Sequence, residues 1–215
     1  MSLIDSIKNN IFSIRKKCVY CGKEKPNPEY ICFECSEKLK QLLCEGNSLY
    51  YYFDVVRKVC HNFKYNEQPY IGEYMAQEMA ESIISKKIDF DIITFVPIHK
   101  KRRSGRGYDQ SEILAKHIAQ ILGKPFLPTL ARIRNTSAQF SLGAAERAKN
   151  ISNAFEIYPN INISGKKLLI IDDIYTTGST INECTKTINA ANADADYFTF
   201  AKEEKESVHI EKFSK

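Results

Sequence analysis

Along the first residues, Leu3, Ile4, Ile7, Ile11, Phe12 and Ile14 recur mostly three or four positions apart, which predicts a leading amphipathic helix over 3–14. From 18 to 35 no apolar period is evident and Gly22, Pro26, Asn27 and Pro28 signal turns, so this stretch needs another source of order. A short helix is expected from 36 to about 43, an aromatic-rich strand over 48–53, and helices over 54–64 and 70–86. The last of these carries Ile71, Met75, Met79 and Ile83 on one face.

After residue 90 the organisation changes. The apolar runs 92–98 and 167–171 read as buried strands, each followed by a loop and a helix-like stretch, and further strands are expected near 126–133 and 196–201. A helix over 110–122 opens after Gly107 and closes at Gly123, Lys124 and Pro125. Strands alternating with helices define an α/β fold, a mainly parallel sheet with flanking helices. The small polar residues of 134–145 suggest a long loop, and long loops in compact domains are often functional. The expected division is an N-terminal helix with a cysteine module (1–45), the sheet domain (46–201) and a charged, solvated tail (202–215).

The 215 residues suffice for one sizeable core and a small appendage. With 43% hydrophobic and 27% charged residues, the composition is that of a globular protein rather than a disordered one. Polar residues interrupt the leading segment, so it lacks the apolar core of a signal peptide, and no apolar run nears the ~20 residues of a spanning helix. A cytoplasmic protein with no membrane span is the expectation. In that reducing compartment seven cysteines point to metal ligation rather than disulfides. The net charge of +5 permits nucleic-acid binding without requiring it, but Lys100, Lys101, Arg102, Arg103 and Arg106 crowd one short stretch.

Cys18, Cys21, Cys32 and Cys35 form two CxxC pairs separated by ten residues, a spacing that can set four thiolates tetrahedrally around one Zn²⁺. Four thiolates leave no open coordination position, so such a metal is structural. The alternative is a set of buried or redox cysteines. Cys44, Cys60 and Cys184 are scattered and read as small core hydrophobes.

The segment 168–180 runs from a buried strand through Asp172 and Asp173 to the hydroxyl-rich turn Tyr175, Thr176, Thr177, Gly178, Ser179 and Thr180, and then opens a helix. Turn N–H groups and a helix N-terminus attract a phosphate, the hydroxyls donate to it, and Gly178 allows close approach. Two carboxylates just ahead suit the hydroxyls of a ribose, since ionised acids only accept hydrogen bonds. Together they favour a sugar phosphate, and the lysine of a nucleotide-triphosphate P-loop is missing. The plainer alternative is a strand-to-helix turn capped by Ser179.

These residues resemble the phosphoribosyl pyrophosphate (PRPP) motif of type I phosphoribosyltransferases. The wider set is similar to the ComF family of competence proteins: Val96 to His99, Arg106 to Gln110, Arg134, Thr136, Gln139, Leu142, Arg147, Asn150, Ala154 and Phe155, and the segment His61 to Tyr65. With the cysteines, the resemblance spans roughly residues 18 to 201. Two positions depart from it: Lys100 stands where many relatives have proline, and Asp109, where they have asparagine, lowers the local positive potential.

The resemblance implies a phosphoribosyltransferase-like sheet and a role in natural transformation, handling imported single-stranded DNA on the cytoplasmic side of the inner membrane beside other uptake proteins. By the same resemblance the loop after residue 98 holds pyrophosphate through His99, Lys100 and Lys101, with Mg²⁺ bridging PRPP oxygens. The 134–147 loop closes as a lid, bringing Arg134 and Arg147 to phosphates. For single-stranded DNA, Arg102, Arg103, Arg106 and Tyr108 combine cations with an aromatic ring, and Tyr50 to Tyr52 with nearby lysines offer a second surface. Solvated lysines or a mobile surface loop explain the same residues more plainly. A phosphoribosyltransferase of nucleotide metabolism, acting on a base or amine, and a PRPP sensor without turnover remain alternatives.

Overall fold

The computed structural model describes residues 17–24, 30–65, 69–135 and 150–203. The leading helix over 3–14, most of the 134–147 loop and most of the charged tail lie outside the described residues.

The chain order is α1 (Phe33–Gln41), β1 (Ser48–Tyr51), α2 (Asp54–Tyr65), α3 (Pro69–Ser85), β2 (Ile92–Phe95), α4 (Lys100–Arg106), α5 (Gln110–Leu122), β3 (Leu130–Arg132), β4 (Phe155–Ile157), β5 (Lys167–Tyr175), α6 (Ser179–Asn189) and β6 (Asp194–Lys202). Four strands form a parallel sheet in the order β1-β6-β5-β2, while β3 and β4 make a separate antiparallel pair. The expected parallel α/β class is met.

Strand β5 shows why the sheet is covered on both sides. Leu169 and Ile171 face a core shared with α2, α3 and α5, whereas Leu168 and Ile170 face a second core with α6 and the β3–β4 pair. All four are buried, giving the continuous apolar run of a doubly covered strand instead of an alternating one. The predicted face of α3 is buried throughout, and each such side chain stabilises the fold by about 1.5–3 kcal/mol.

Two expectations need correction. The basic stretch after β2 is the short helix α4, not a loop: the His99 side chain accepts from the Lys101 N–H at its start, and Gly107 closes it in the left-handed region. The 126–133 strand is shorter, because Phe126 only bridges β2 at Ile93 and the extended pairing begins at Leu130. Among the described residues no helix is long and apolar enough to cross a membrane.

The connections place a crevice. After β2 the chain crosses α5 and returns beside β2 at Phe126, whereas after β5 it crosses α6 and returns on the opposite side as β6. The two paths diverge from neighbouring strand ends. That divergence is the topological switch point, where open parallel sheets bind ligands at the carboxyl ends of their strands.

Candidate functional site

The carboxyl end of β5 carries both acids. Strand pairing continues through Asp172 to Tyr175, further than the apolar run alone predicts. Asp172 accepts from Ser111 Oγ at 2.7 Å and from the Asp173 N–H at 2.9 Å. Asp173 is ion-paired with Lys64 at 2.7 Å, the two side chains being only 12% and 25% exposed. Burial pushes the Asp172 carboxyl up to about 7, and the Asp173 charge adds to it, against the opposing effects of Ser111 and Lys64. Burial alone lowers the Lys64 ammonium, but Asp173 overrides it and holds the lysine above its ordinary range.

Beyond β5, Thr176 and Thr177 are exposed and α6 begins at Ser179. Gly178, not Ser179, occupies the N-cap, at φ 75°, and Thr177 Oγ1 lies 3.0 Å from Ser179 Oγ. The Tyr175 ring, stacked on Tyr197 at 5.2 Å, lies where a Cβ on residue 178 would sit, 2.7 Å from its Cζ. Gly178 is thus required by backbone and neighbour alike. Replacing it with alanine is expected to cost about 1–3 kcal/mol through the left-handed backbone alone, read by urea denaturation; an unchanged midpoint contradicts the geometry.

Four consecutive residues tie the walls of the crevice together. Tyr108 Oη donates to the Phe63 carbonyl at 3.0 Å, and Gln110 Nε2 to the Lys64 carbonyl at 3.5 Å. Asp109 accepts from the Ile98 N–H at 2.9 Å and, as N-cap of α5, from the Ser111 N–H at 3.1 Å. Ser111 then reaches Asp172. Asp109 is buried, and it clamps the exit of strand β2 to α5.

Burial pushes the Asp109 carboxyl up to about 6, partly offset by its N–H donors. A group whose folded value is raised takes up its proton at higher pH when folded, so its contribution falls as pH rises from about 4 through about 6. An asparagine at this position keeps the cap without the charge. In Asp109→Asn, the loss of stability between pH 4.5 and 7.5 is therefore expected to shrink by on the order of 2 kcal/mol, measured by urea denaturation.

The other expected site residues are placed as follows. His99 caps α4, and Lys100 and Lys101 are exposed in its first turn. Arg103 pairs with Glu112 at 2.8 Å, and the Tyr108 ring is half-buried with its hydroxyl engaged. The side chains of Arg102 and Arg106 are outside the described residues. Arg134 is exposed and donates to the Ser152 carbonyl, while Arg147 lies outside the described residues. Tyr50 points inward, donating to Glu78 at 2.6 Å. Lys64 and Ser111 acquire their site contacts only through the fold. The segment around Lys64 is legible as a resemblance, but nothing local says that it meets Asp173.

The four cysteines form a second centre. Their sulfurs lie within 4.8 Å of one another, with Cys21 and Cys32 Sγ 3.7 Å apart. A tetrahedron with metal–sulfur bonds of about 2.3 Å has edges of about 3.8 Å, so the set fits a thiophilic metal such as zinc. The first pair sits in a turn closed by the Gly22 N–H to the Cys18 carbonyl at 2.8 Å, with Gly22 at φ 72°. The second begins α1, and the Cys32 N–H donates to Cys18 Sγ at 3.4 Å. Between the first pair, Tyr20 is buried edge-on against Tyr74 of α3, with Tyr30 beside it. Cys44, Cys60 and Cys184 are buried as expected.

The molecule is therefore an α/β protein with paired acids at a sheet switch point and a four-cysteine metal-type centre packed onto the same core. No protein-family model matches the chain. It is similar to Competence protein F of Haemophilus influenzae, 29% identical over 79% of this chain and 76% of that one. The DNA utilization protein YhgH of Salmonella typhimurium is 27% identical over 77% and 74%, and Competence protein ComFC of Bacillus subtilis 25% over 77% and 68%. The resemblance to the ComF family read from the motifs is borne out by these relatives. Among solved structures, adenine phosphoribosyltransferase from Thermoanaerobacter pseudethanolicus is similar at TM-score 0.43, 15% identical, over 64% of this chain and 83% of that one.

Proposed function

We propose that this protein binds PRPP at the carboxyl ends of β2 and β5 and serves DNA uptake, handling imported single-stranded DNA at the cytoplasmic side of the membrane with other uptake proteins. The observation that carries the reading is the junction of β5 and α6: an acid able to accept sugar hydroxyls is followed within one turn by exposed threonines and helix N–H groups suited to a phosphate. The relatives named for competence and DNA utilization support the cellular half.

Thr176, Thr177, Ser179 and Thr180 are assigned to the 5-phosphate, and the exposed Lys100 and Lys101 to the pyrophosphate. Mg²⁺ is assigned to the bound ligand, bridging PRPP oxygens. Zinc at the cysteines is structural. Arg102, Arg103 and Arg106 are the cations assigned to DNA phosphates.

Calorimetric titration of PRPP with Mg²⁺ into zinc-loaded protein tests the site. Wild type is expected to bind, and Asp172→Asn combined with Asp173→Asn to lose at least about 10-fold in affinity, one charge-assisted acceptor being worth about 1.5–3 kcal/mol. Failure of folded wild type to bind sinks the reading. Pyrophosphate release with a panel of bases and amines separates a transferase from a sensor.

A further inference from the structure

The two neighbouring acids are not equivalent. Their partners differ: Asp173 pairs with Lys64 of α2, whereas Asp172 accepts from Ser111 of α5 and lies near Cys184 of α6. Lys64, the last charged residue of α2, closes on Asp173 at 2.7 Å, and both are largely screened from solvent. The lysine is itself held, because its carbonyl and that of Phe63 accept from Gln110 and Tyr108. Among the described residues Asp172 accepts from Ser111 and one backbone N–H, which leaves it acceptor capacity at the crevice.

We propose that Lys64 is a positioning residue which withdraws Asp173 from the ligand and leaves Asp172 as the single acid accepting the ribose hydroxyls, a division that rests on the PRPP reading above. Asp173 and Lys64 then act as an internal strut behind the sugar site. A ribose hydroxyl donating to Asp172 favours its ionised form, so binding is linked to proton release near neutrality. The charged and titratable groups around the acids are Lys64 and Cys60 of α2 and Tyr52 on the Asp173 side. On the Asp172 side they are Cys184 of α6, itself faced by Glu183 and by Arg132 of β3, with Ser111 of α5 as donor; Lys64 also acts on Asp172.

With the strut removed, the unbalanced charge of Asp173 bears directly on Asp172 and raises its titration midpoint. Two measurements on the full zinc-loaded chain test this. The first follows the Asp172 side-chain carboxyl by ¹³C NMR against pH without ligand, in wild type, Lys64→Met and Lys64→Met/Asp173→Asn. The midpoint is expected to rise by about one unit in the single variant and to return in the double; a midpoint unmoved by Lys64→Met overturns the strut.

The second titrates PRPP with Mg²⁺ at pH 6, 7 and 8. Wild-type affinity is expected to increase with pH. Asp172→Asn is expected to lose at least about 10-fold in affinity and the pH dependence with it, consistent with loss of one charge-assisted acceptor. Lys64→Met/Asp173→Asn is expected to bind within about 3-fold of wild type at pH 8, since neither removed group touches the ligand. If the double variant is instead as weak as Asp172→Asn, Asp173 contacts the sugar and the proposal fails. If wild type binds no PRPP at any pH, the underlying ligand reading fails, and the assignment of Asp172 to ribose fails with it, whatever the carboxyl titration shows.

Discussion

Stripping zinc from the chain with a chelator, or replacing Cys35 by serine, is expected to lower the melting temperature by on the order of 10–20 °C and to loosen the sheet domain as well as the cysteine module. Structural zinc in finger peptides contributes about 10–16 kcal/mol of apparent binding energy. If even about 5 kcal/mol of that is realised as stability, a chain of this size loses about 2–4 °C per kcal/mol. The effect reaches beyond the module because Cys18, Tyr20, Cys35 and Leu39 belong to the same core cluster as α2, α3 and β6. Tyr20 lies between Cys18 and Cys21 in the chain and packs on Tyr74, so loosening the cysteine cluster is expected to free a ring that covers α3. Calorimetric melting with and without chelator, beside elemental analysis expecting about one zinc per chain, checks it. An unchanged melting temperature after complete metal removal shows that the thiols are held by packing alone.

Lys64→Met is expected to destabilise the fold by about 3–5 kcal/mol, because it leaves the Asp173 carboxylate buried without a partner. The methylene stem of the lysine is conserved by methionine, so lost packing adds little. Asp173→Asn alone is expected to cost less, since a lysine can turn its ammonium toward water while its stem stays in place. The double variant Lys64→Met/Asp173→Asn is expected to recover most of the single-variant loss, as replacing a buried ion pair by neutral groups is often close to neutral. Urea denaturation of the four proteins gives the coupling energy directly. A loss below about 1 kcal/mol for Lys64→Met shows that the pair behaves as an exposed salt bridge.

Both centres were legible locally, though to different depths. The cysteine spacing needed only short-range geometry: each CxxC is a tight turn or a helix start, and such turns present two thiols to one point wherever they stand. The β5–loop–α6 unit was similarly local, since an apolar run, two acids, a glycine and hydroxyls follow one another within thirteen residues. The face of α3 was readable because its period of three to four survives in any environment that buries one side. The helix at 100–106 was missed because its residues are charged or small and carry no apolar period; its caps, His99 and Gly107, were the available signal.

By itself, the sequence determined the α/β class, the metal-type cysteine cluster, the order of acids and phosphate-suited residues at the end of β5, and the resemblance to ComF proteins, because each is written in neighbouring residues or in a period along one element. Only the tertiary structure decided that Lys64 meets Asp173 across 109 positions, that Ser111 meets Asp172 across 61, and that Asp109 faces inward to clamp Ile98. Strand order decided the switch point, and with it which loops share a crevice. Such pairings depend on how helices lie over a sheet, a consequence of long-range packing that leaves no pattern in the local run of residues.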